Sequence, residues 1–399
     1  MKLIHDIVSQ AAYLQTIRRD IHAHPELAFE ETRTSDLVAH LLTEWGIPVH
    51  RGLGKTGVVG ILQQGHSGRA IGLRADMDAL PMQEANQFEH ASRHCGKMHA
   101  CGHDGHTTML LGAAQYLARH RDFDGTVYLI FQPAEEHGGG AREMMRDGLF
   151  ERFPMDAIFG MHNMPGIPVG TIAVSPGPVL ASNNEFRITI RGKGGHAAMP
   201  HLSVDPIAVA SQIMPALQTI ISRSKKPLET AVISITMIHA GDVPNVIPDT
   251  CEIQGSVRAY TTETLNMIEQ RMGEIVQSAA AMFGAQGALE FRRNYPSTIN
   301  HAAETAFARQ VLADILPPDQ IITQTPIMAA EDFSFMLEAV PGCYAFIGNG
   351  EGDHRDLGHG AGPCVVHNPS YDFNDALLPL GASFFVRLVQ RWLQPVHIA

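Results

Sequence analysis

Three short apolar runs in the first half of the chain stop directly before acidic residues or a histidine. Residues 70–73 lead to Asp76 and Asp78, residues 126–131 lead to Glu135 and Glu136, and residues 157–161 end at His162. Runs of this kind are typical of strands buried on both faces, and helical stretches separate them. They predict an α/β fold with a mostly parallel sheet. Ligands of such sheets gather at the carboxyl ends of the strands, where these polar residues stand.

The pattern changes near residue 183, which indicates a second domain. The chain has 399 residues, more than one hydrophobic core usually serves. Residues 186–190 alternate between apolar and polar, as half-exposed antiparallel strands do, and helical patterns follow at 206–221 and 262–283. We therefore predict a discontinuous α/β domain, residues 1–182 and 295–399, with an inserted α+β domain at residues 183–294.

Composition excludes several classes of partner. The 29 Lys and Arg against 41 Asp and Glu give a net charge of −12, which disfavours nucleic acid and anionic membrane surfaces. Residues 1–20 have the spacing of an amphipathic helix, so we expect neither a signal peptide nor a membrane anchor. Five scattered cysteines argue against a disulfide framework and for a cytoplasmic location.

The segment at residues 99–106, HACGHDGH, is the strongest local signal for a metal. Cys101 and His103 stand two residues apart in a Gly-containing loop before a helix predicted from residue 107, and both suit zinc or a similar metal. An alternative is a cysteine nucleophile activated by a nearby histidine. The surrounding carboxylates disfavour it, because negative charge raises the pKa of a thiol unless a cation is present.

The adjacent carboxylates of Glu135 and Glu136 point to the same chemistry. Two neighbouring negative charges after a buried strand repel each other unless a cation offsets them. In an extended segment their side chains would point in opposite directions, so that one could bind a metal while the other faced the substrate as general base. Together with Cys101, His103 and the histidines further along, the candidate ligands exceed the three that one catalytic zinc takes. Two metals about 3.5 Å apart fit the number better.

Nine segments spread over the chain carry a resemblance to a known family. They are residues 19–31 (RDIHAHPELAFEE), 74–81 (RADMDALP), 98–108 (MHACGHDGHTT), 132–140 (QPAEEHGGG), 161–163 (MHN), 192–201 (GKGGHAAMPH), 245–248 (NVIP), 330–333 (AEDF) and 367–369 (HNP). The chain resembles the zinc-dependent aminoacylase and carboxypeptidase family, in particular its hippurate hydrolase and auxin-conjugate hydrolase branch.

The resemblance implies a set of site residues and a cofactor. Two divalent metal ions, zinc or else manganese, cobalt or nickel, would be bound by five residues: Cys101, His103, Glu136, His162 and His367. Glu135 would be the general base. Related subfamilies have His where Asp76 stands and Asp where Cys101 stands, so Asp76 and Asp78 are assigned to orienting the histidines rather than to metal binding.

The resemblance also implies a role for the inserted domain, as a lid that forms a homodimer. His196 would reach across the dimer to the substrate carbonyl, and Asn245 and Arg258 would lie near the substrate carboxylate. The implied activity is cleavage of the amide bond of a small N-acyl amino acid by metal-activated water. A dipeptidase or carboxypeptidase of the same family, or a non-catalytic metal-dependent binding protein, stay open as alternatives.

Overall fold

The computed structural model describes residues 1–355 and 357–395. Its helices, numbered in chain order, are α1 His5–Ser9, α2 Ala11–Ala23, α3 Thr32–Glu44, α4 His103–Arg119, α5 Gly140–Arg146, α6 Leu149–Arg152, α7 Pro206–Thr219, α8 Thr262–Met282, α9 Ala302–Ile315, α10 Phe333–Ala339 and α11 Leu378–Trp392. Its strands are β1 Val49–Leu53, β2 Gly57–Gln64, β3 Ala70–Asp76, β4 Gly125–Gln132, β5 Ala157–Pro165, β6 Ile172–Ala173, β7 Gly177–Leu180, β8 Asn183–Arg191, β9 Gly195–His196, β10 Ala231–His239, β11 Val246–Ile247, β12 Thr250–Ala259, β13 Gln286–Tyr295, β14 Thr298–Asn300, β15 Ile321–Ile322 and β16 Gly342–Gly350. Within these residues no helix combines the length and the apolar character needed to cross a membrane.

The chain divides into two compact units. The first comprises Met1–Gly177, Ile299–Thr325 and the residues from Asp332 onward, and the second comprises Pro178–Thr298 and Pro326–Glu331. The second unit therefore interrupts the first in the sequence. It contains residues 183–294, the range predicted for the inserted domain, and extends beyond that range at both ends.

An eight-stranded sheet organises the first unit, in the order β1-β2-β4-β3-β5-β16-β6-β15. The central strands β4, β3, β5 and β16 run parallel to one another. The predicted α/β class is confirmed. Residues 58–62 are also apolar and lie in β2, which joins the sheet antiparallel to β4.

Burial explains why the central strands are almost uniformly apolar. Every residue of β3 and of β16 is buried, and the two charged residues of β3, Arg74 and Asp76, pair with each other. Helix α4 packs against β3, α2 and α11, and its buried residues extend over most of its length. This packing places the first turn of α4 beside the carboxyl end of β3.

The second unit is an antiparallel sheet, β10-β12-β8-β13, packed against α7 and α8. Strand β8 alternates as predicted, with Phe186, Ile188 and Ile190 buried. Side chains cap the N-termini of both helices. Asp205 accepts from the backbone N–H of Ile207 at 2.8 Å at α7, and Thr261 accepts from the backbone N–H of Thr264 at α8. Strand β13 carries a similar alternation, and the sequence prediction did not include it.

Candidate metal centre

The predicted ligands come from segments that meet at the carboxyl edge of the parallel strands. Glu135 and Glu136 follow β4, and Cys101 lies two residues before the start of α4. Two details of the prediction were wrong. Helix α4 begins at His103 rather than at residue 107, so that His103 lies in its first turn. His162 lies inside β5, opposite Phe346 of β16, because the strand continues beyond it to Pro165.

Gly102 separates Cys101 from His103 and has a left-handed backbone with φ of 91°. A Cβ atom there would stand 2.2 Å from Asn163 Nδ2 and 2.5 Å from the Tyr371 hydroxyl. Both the conformation and the space therefore require glycine. Asn163 also donates to the Cys101 carbonyl at 2.6 Å, and Tyr371 donates to Asn163 Oδ1 at 2.7 Å. These contacts fix the backbone between the cysteine and the histidine.

The structure brings all five predicted metal ligands together in overlapping groups. Within each group the ligand-type atoms lie no more than 4.8 Å apart: Cys101 with His103 and His162, Cys101 with Glu136 and His367, and His103 with Glu135 and Glu136. The Cys101 Sγ lies 3.3 Å from His162 Nε2, and His367 Nε2 lies 3.2 Å from Glu136 Oε1. One sulfur, three imidazoles and two carboxylates thus surround a small volume.

Glu135 and Glu136 do not diverge as the sequence analysis expected. They lie in a turn rather than in an extended segment, and an oxygen of each stands within 4.8 Å of a His103 ring nitrogen. The prediction of opposite directions was therefore wrong. A turn brings adjacent side chains to one side of the backbone, and both carboxylates can act on the same centre.

Hydrogen bonds at Nδ1 orient two of the imidazoles. His103 Nδ1 lies 2.9 Å from the Asp78 carbonyl and 3.1 Å from Asp78 Oδ1, and His162 Nδ1 lies 2.6 Å from the Asn163 carbonyl. Since a carbonyl only accepts, each Nδ1 donates and each Nε2 is directed to the other side of its ring. His103 Nε2 is buried and has no hydrogen-bond partner among the described residues. An orphaned ring nitrogen facing these groups suits a cation.

Asp76 and His106 form a closed group next to this centre. His106 Nδ1 donates to Asp76 Oδ1 at 2.6 Å, and Arg74 donates to Asp76 Oδ2 at 2.7 Å. His106 Nε2 accepts from the backbone N–H of Asn163 at 2.9 Å. Ligand-type atoms of Asp76, His103 and His106 also lie within 4.8 Å of one another. Because the ring nitrogens of His106 and the oxygens of Asp76 are engaged, this trio supports the centre rather than offering a separate site.

The surroundings are strongly negative. Burial lowers the pKa of His103, but Asp76, Asp78 and Glu136 outweigh burial and raise it to about 10. Burial, Glu136 and Glu135 raise the pKa of the Cys101 thiol well above its ordinary value. Without a cation, the thiol is therefore protonated and poorly nucleophilic. A site that raises both pKa values in this way favours added positive charge.

His367 reaches the centre from a loop near the end of the chain. Its backbone has φ of 62°, an uncommon conformation for a residue other than glycine, and its N–H donates to the Ala100 carbonyl at 2.7 Å. That bond ties the loop to the residue before Cys101. The His367 side chain is 53% exposed, whereas that of Glu136 is 8% exposed. The centre therefore opens to solvent on the side of His367.

The chemistry of the donor set fits two divalent cations. Thiolate and imidazole suit zinc and its neighbours, and carboxylate oxygens can be shared between two ions. The atoms already lie close together, and the unpartnered His103 Nε2 faces them. The residues that the sequence analysis missed here are Asn163, Tyr371 and His106, which hold the centre by contacts that no spacing in the sequence reveals.

The three predicted residues of the second unit separate into two places within that unit. His196 of β9 pairs with Val246 of β11, and the neighbouring Ala197 N–H donates to the Asn245 carbonyl at 3.0 Å. Arg258 lies near the opposite end of β12, roughly 26 Å along the strand from Thr250 at about 3.3 Å per residue. Its Nη1 is buried without a hydrogen-bond partner among the described residues. His196 and Asn245 are exposed neighbours, and Arg258 stands apart from them.

Comparisons with known proteins agree with the geometry. A family model described as Peptidase family M20/M25/M40 matches residues 72–391. The hippurate hydrolase of Campylobacter jejuni is 41% identical, covering 99% of this chain and all (100%) of that protein. An IAA-amino acid hydrolase of Arabidopsis thaliana is 40% identical, covering 94% of this chain and 85% of that protein.

Among solved structures, a dinuclear metal-binding peptidase of the M20 family from Bacillus subtilis aligns with a TM-score of 0.84. It is 34% identical, and the alignment covers 98% of this chain and 100% of that chain. The fold, the clustered ligands and these full-length similarities lead to one conclusion. The chain belongs to peptidase family M20/M25/M40 and is a metal-dependent amidohydrolase.

Proposed function

We propose that this enzyme hydrolyses the amide bond of small N-acyl amino acids, releasing a carboxylic acid and a free amino acid. The observation that carries the proposal is the convergence of Cys101, His103, Glu136, His162 and His367, with Glu135 beside them. The Campylobacter relative is named for hippurate, which is N-benzoylglycine, and is similar over the full length of both chains. Hippurate is therefore the first substrate to test.

We propose that the five converging residues hold two divalent metal ions, with zinc the first choice because a thiolate and three imidazoles are present. Manganese, cobalt and nickel are the alternatives. When bound, the metals would act as Lewis acids, polarising the amide carbonyl and making water more acidic. Asp78 and the Asn163 carbonyl hold the imidazoles of His103 and His162 with Nε2 turned toward the centre.

Glu135 is the proposed general base. A Glu135 carboxylate oxygen lies within 4.8 Å of ligand-type atoms of His103 and Glu136. At this distance Glu135 could accept a proton from a water molecule bound at the centre. Glu135 would take one proton from that water as the oxygen attacks the amide carbon. It would then pass the proton to the amide nitrogen, so that the C–N bond breaks and a neutral amine leaves.

The second unit is proposed to act as a lid and to form a homodimer. Asn245 precedes β11, whereas Arg258 lies near the end of β12 far from Thr250, so one copy of this unit does not bring them together at one substrate carboxylate. A dimer in which His196 and Asn245 come from the partner would remove this separation. His196 would then donate to the substrate carbonyl oxygen as negative charge develops on it.

A cytoplasmic location is proposed from the cysteines. All five are free thiols, and four of them are buried. Unpaired cysteines persist in a reducing compartment. Fractionation of the source cells, with a periplasmic or secreted marker as control, tests this; recovery of the enzyme with that marker would exclude the cytoplasm.

The decisive experiment combines metal analysis with activity. Metal content is measured by elemental analysis, and hydrolysis of hippurate and a panel of N-acyl amino acids and dipeptides is measured before and after chelation. The proposal expects about two metals per chain, activity lost on chelation and restored by zinc or manganese. Preference for dipeptides would identify a peptidase instead. Cleavage that resists chelation but is abolished by thiol alkylation would replace the proposal with a cysteine nucleophile at Cys101.

A further inference from the structure

The segment formed by residues 132–141, here called the glutamate loop, runs from the last residue of β4 into the first turn of α5 and carries Glu135 and Glu136. Carboxylates from three distant parts of the chain accept its backbone N–H groups. Glu31 Oε1 accepts from Ala134 at 2.8 Å, Asp78 Oδ2 from Glu136 at 2.9 Å, and Asp332 Oδ2 from Ala141 at 2.9 Å. The position of both glutamates therefore depends on side chains outside the loop.

Ala134, directly before Glu135, has an unfavourable backbone conformation. Its φ is 54°, in the left-handed region that residues with a Cβ rarely adopt. Hydrogen bonds hold it on both sides, since its N–H donates to Glu31 and its carbonyl accepts from Gly140 N at 3.0 Å. At Gly140 a Cβ would stand 1.7 Å from the Pro133 carbonyl, so the loop closes tightly on itself. Without these contacts Ala134 would relax and turn Glu135 away.

Glu31 is placed to hold this conformation. Its side chain is fully buried at the start of α3, where Oε1 also accepts from Phe29 N at 3.0 Å and Oε2 accepts from the Thr56 hydroxyl at 2.6 Å. These contacts are with uncharged donors, and burial raises the pKa of Glu31 to about 7. Burying a carboxyl group without a cation costs free energy, which indicates that the hydrogen bonds of Glu31 serve a function.

Asp332 holds the ends of the same loop. While Oδ2 accepts from Ala141 N, Oδ1 accepts from Gln132 Nε2 at 2.7 Å and from Arg74 Nη2 at 3.1 Å. Gln132 is the last residue of β4, and Ala141 belongs to α5. The buried Asp332 carboxylate therefore forms hydrogen bonds with both the last residue of β4 and the first turn of α5.

We propose that Glu31 and Asp332 are positioning residues for catalysis, which hold the glutamate loop so that Glu135 and Glu136 both face His103. The assignment rests on the function proposed above and gives a role to the motifs at residues 19–31 and 330–333. Glu31 acts through the backbone N–H of Ala134, and Asp332 acts through the backbone N–H of Ala141 and the side chain of Gln132.

The test compares Glu31→Ala, Glu31→Asp and Glu31→Gln in the full-length enzyme. The Ala and Asp variants remove or shorten the contact to Ala134 N, and we expect kcat and zinc affinity each to fall about tenfold to a hundredfold. Gln keeps an oxygen that can accept from Ala134 and should stay within about threefold of wild type. Glu30→Ala is the matched control, because Glu30 is exposed and its carboxylate forms an ion pair with Lys97 at the surface. KM should change less than kcat in every variant.

A second substitution separates positioning from general stability. Glycine adopts a left-handed backbone without strain, so Ala134→Gly in the Glu31→Ala background should restore part of kcat and of zinc affinity. Because the same substitution also relieves backbone strain and adds some stability, the unfolding free energy of each variant is measured beside its kcat and zinc affinity. If Glu31→Ala does not fold, Glu31→Asp with and without Ala134→Gly provides the same comparison.

Zinc affinity is measured by competition with a chromophoric chelator, independently of any substrate. Wild-type zinc affinity and kcat in Glu31→Ala and Glu31→Asp would overturn the inference, as would a Glu31→Gln variant as impaired as Glu31→Ala. If the wild-type enzyme bound zinc but hydrolysed no N-acyl amino acid, the proposed function would fail, while the zinc affinities would still decide the role of Glu31.

Discussion

Two imidazoles of the centre are held by a hydrogen bond at Nδ1 and turn Nε2 toward the centre. Asp78 fixes His103 at Nδ1, and the Asn163 carbonyl fixes His162 in the same way. Since the rotamer and the proton position are both set, little orientational freedom is left to lose when a metal binds. Glu135 differs from these residues, because its proposed work is to carry a proton rather than to hold a metal.

Glu135→Gln should therefore separate metal binding from turnover. Gln cannot take a proton, so we expect kcat to fall at least about a hundredfold. Metal content should remain at the wild-type level, because Glu136 and the other proposed ligands are unchanged. Elemental analysis and steady-state kinetics on the same preparation check both points. Wild-type turnover in this variant would remove Glu135 from the mechanism.

Glu31 leads to a prediction about pH. Its pKa is raised from 4.5 to about 7 by burial, so between these values the folded enzyme binds a proton that the unfolded chain does not. This group therefore makes the enzyme less stable as pH rises from about 4.5 to 7, by an amount of the order of 3 kcal/mol.

Glu31→Gln should remove that dependence, because its amide does not titrate. The unfolding free energy of the variant minus that of wild type should therefore increase from pH 5 to pH 8. Denaturant unfolding of both proteins at the two pH values measures the difference, and other titrating groups cancel in the comparison. If the unfolding free energies of the variant and wild type differed by the same amount at both pH values, Glu31 would keep the same protonation state throughout.

At the scale of elements, the centre depends on the start of α4 and on the length of β5. The left-handed Gly102 lets the chain turn from Cys101 into the helix at His103. Strand β5 continues four residues past Met161, which buries Asn163 against Gly102. Both elements therefore have to form before the proposed ligands can meet.

Gly102→Ala should damage this junction. The new Cβ would overlap Asn163 and Tyr371, and the left-handed backbone would be strained, so we expect a loss of about 2 to 4 kcal/mol in unfolding free energy. Zinc affinity should fall as well, because Gly102 lies between the proposed ligands Cys101 and His103. Gly68→Ala is the control, since its Cβ would meet nothing within 4 Å. Equal thermal midpoints for the two variants would contradict the prediction.

At the scale of the whole molecule, the second unit is an insertion with a core of its own. It carries His196 and Asn245 on exposed positions and Arg258 at a distance from them. A closed dimer in which each active site uses residues of both chains would give this arrangement a function.

Mixing inactive subunits tests the dimer. Glu135→Gln and His196→Ala homodimers should each be nearly inactive. After exchange at equal amounts, half of the dimers are mixed and each has one intact site, so about one quarter of wild-type activity should return. Native mass spectrometry confirms that exchange took place. If confirmed mixed dimers remain inactive, each site is built from a single chain.

The sequence determined the class of fold and the family. Apolar runs without alternation predicted buried parallel strands, and the alternation at residues 186–190 predicted the antiparallel sheet of the second unit; both are confirmed. The motifs identified the family, which the full-length similarities confirm. Local patterns suffice for these features, because each strand or motif carries its own signal.

Tertiary structure decided how the parts face one another. The direction of β2, the extension of β5 past His162 and the turn at Glu135 depend on neighbours that the local sequence does not contain. The hydrogen bonds of Glu31 and Asp332 to the glutamate loop span 103 and 191 residues of sequence. No local pattern encodes contacts of that length, since only the folded sheet brings their donors and acceptors together.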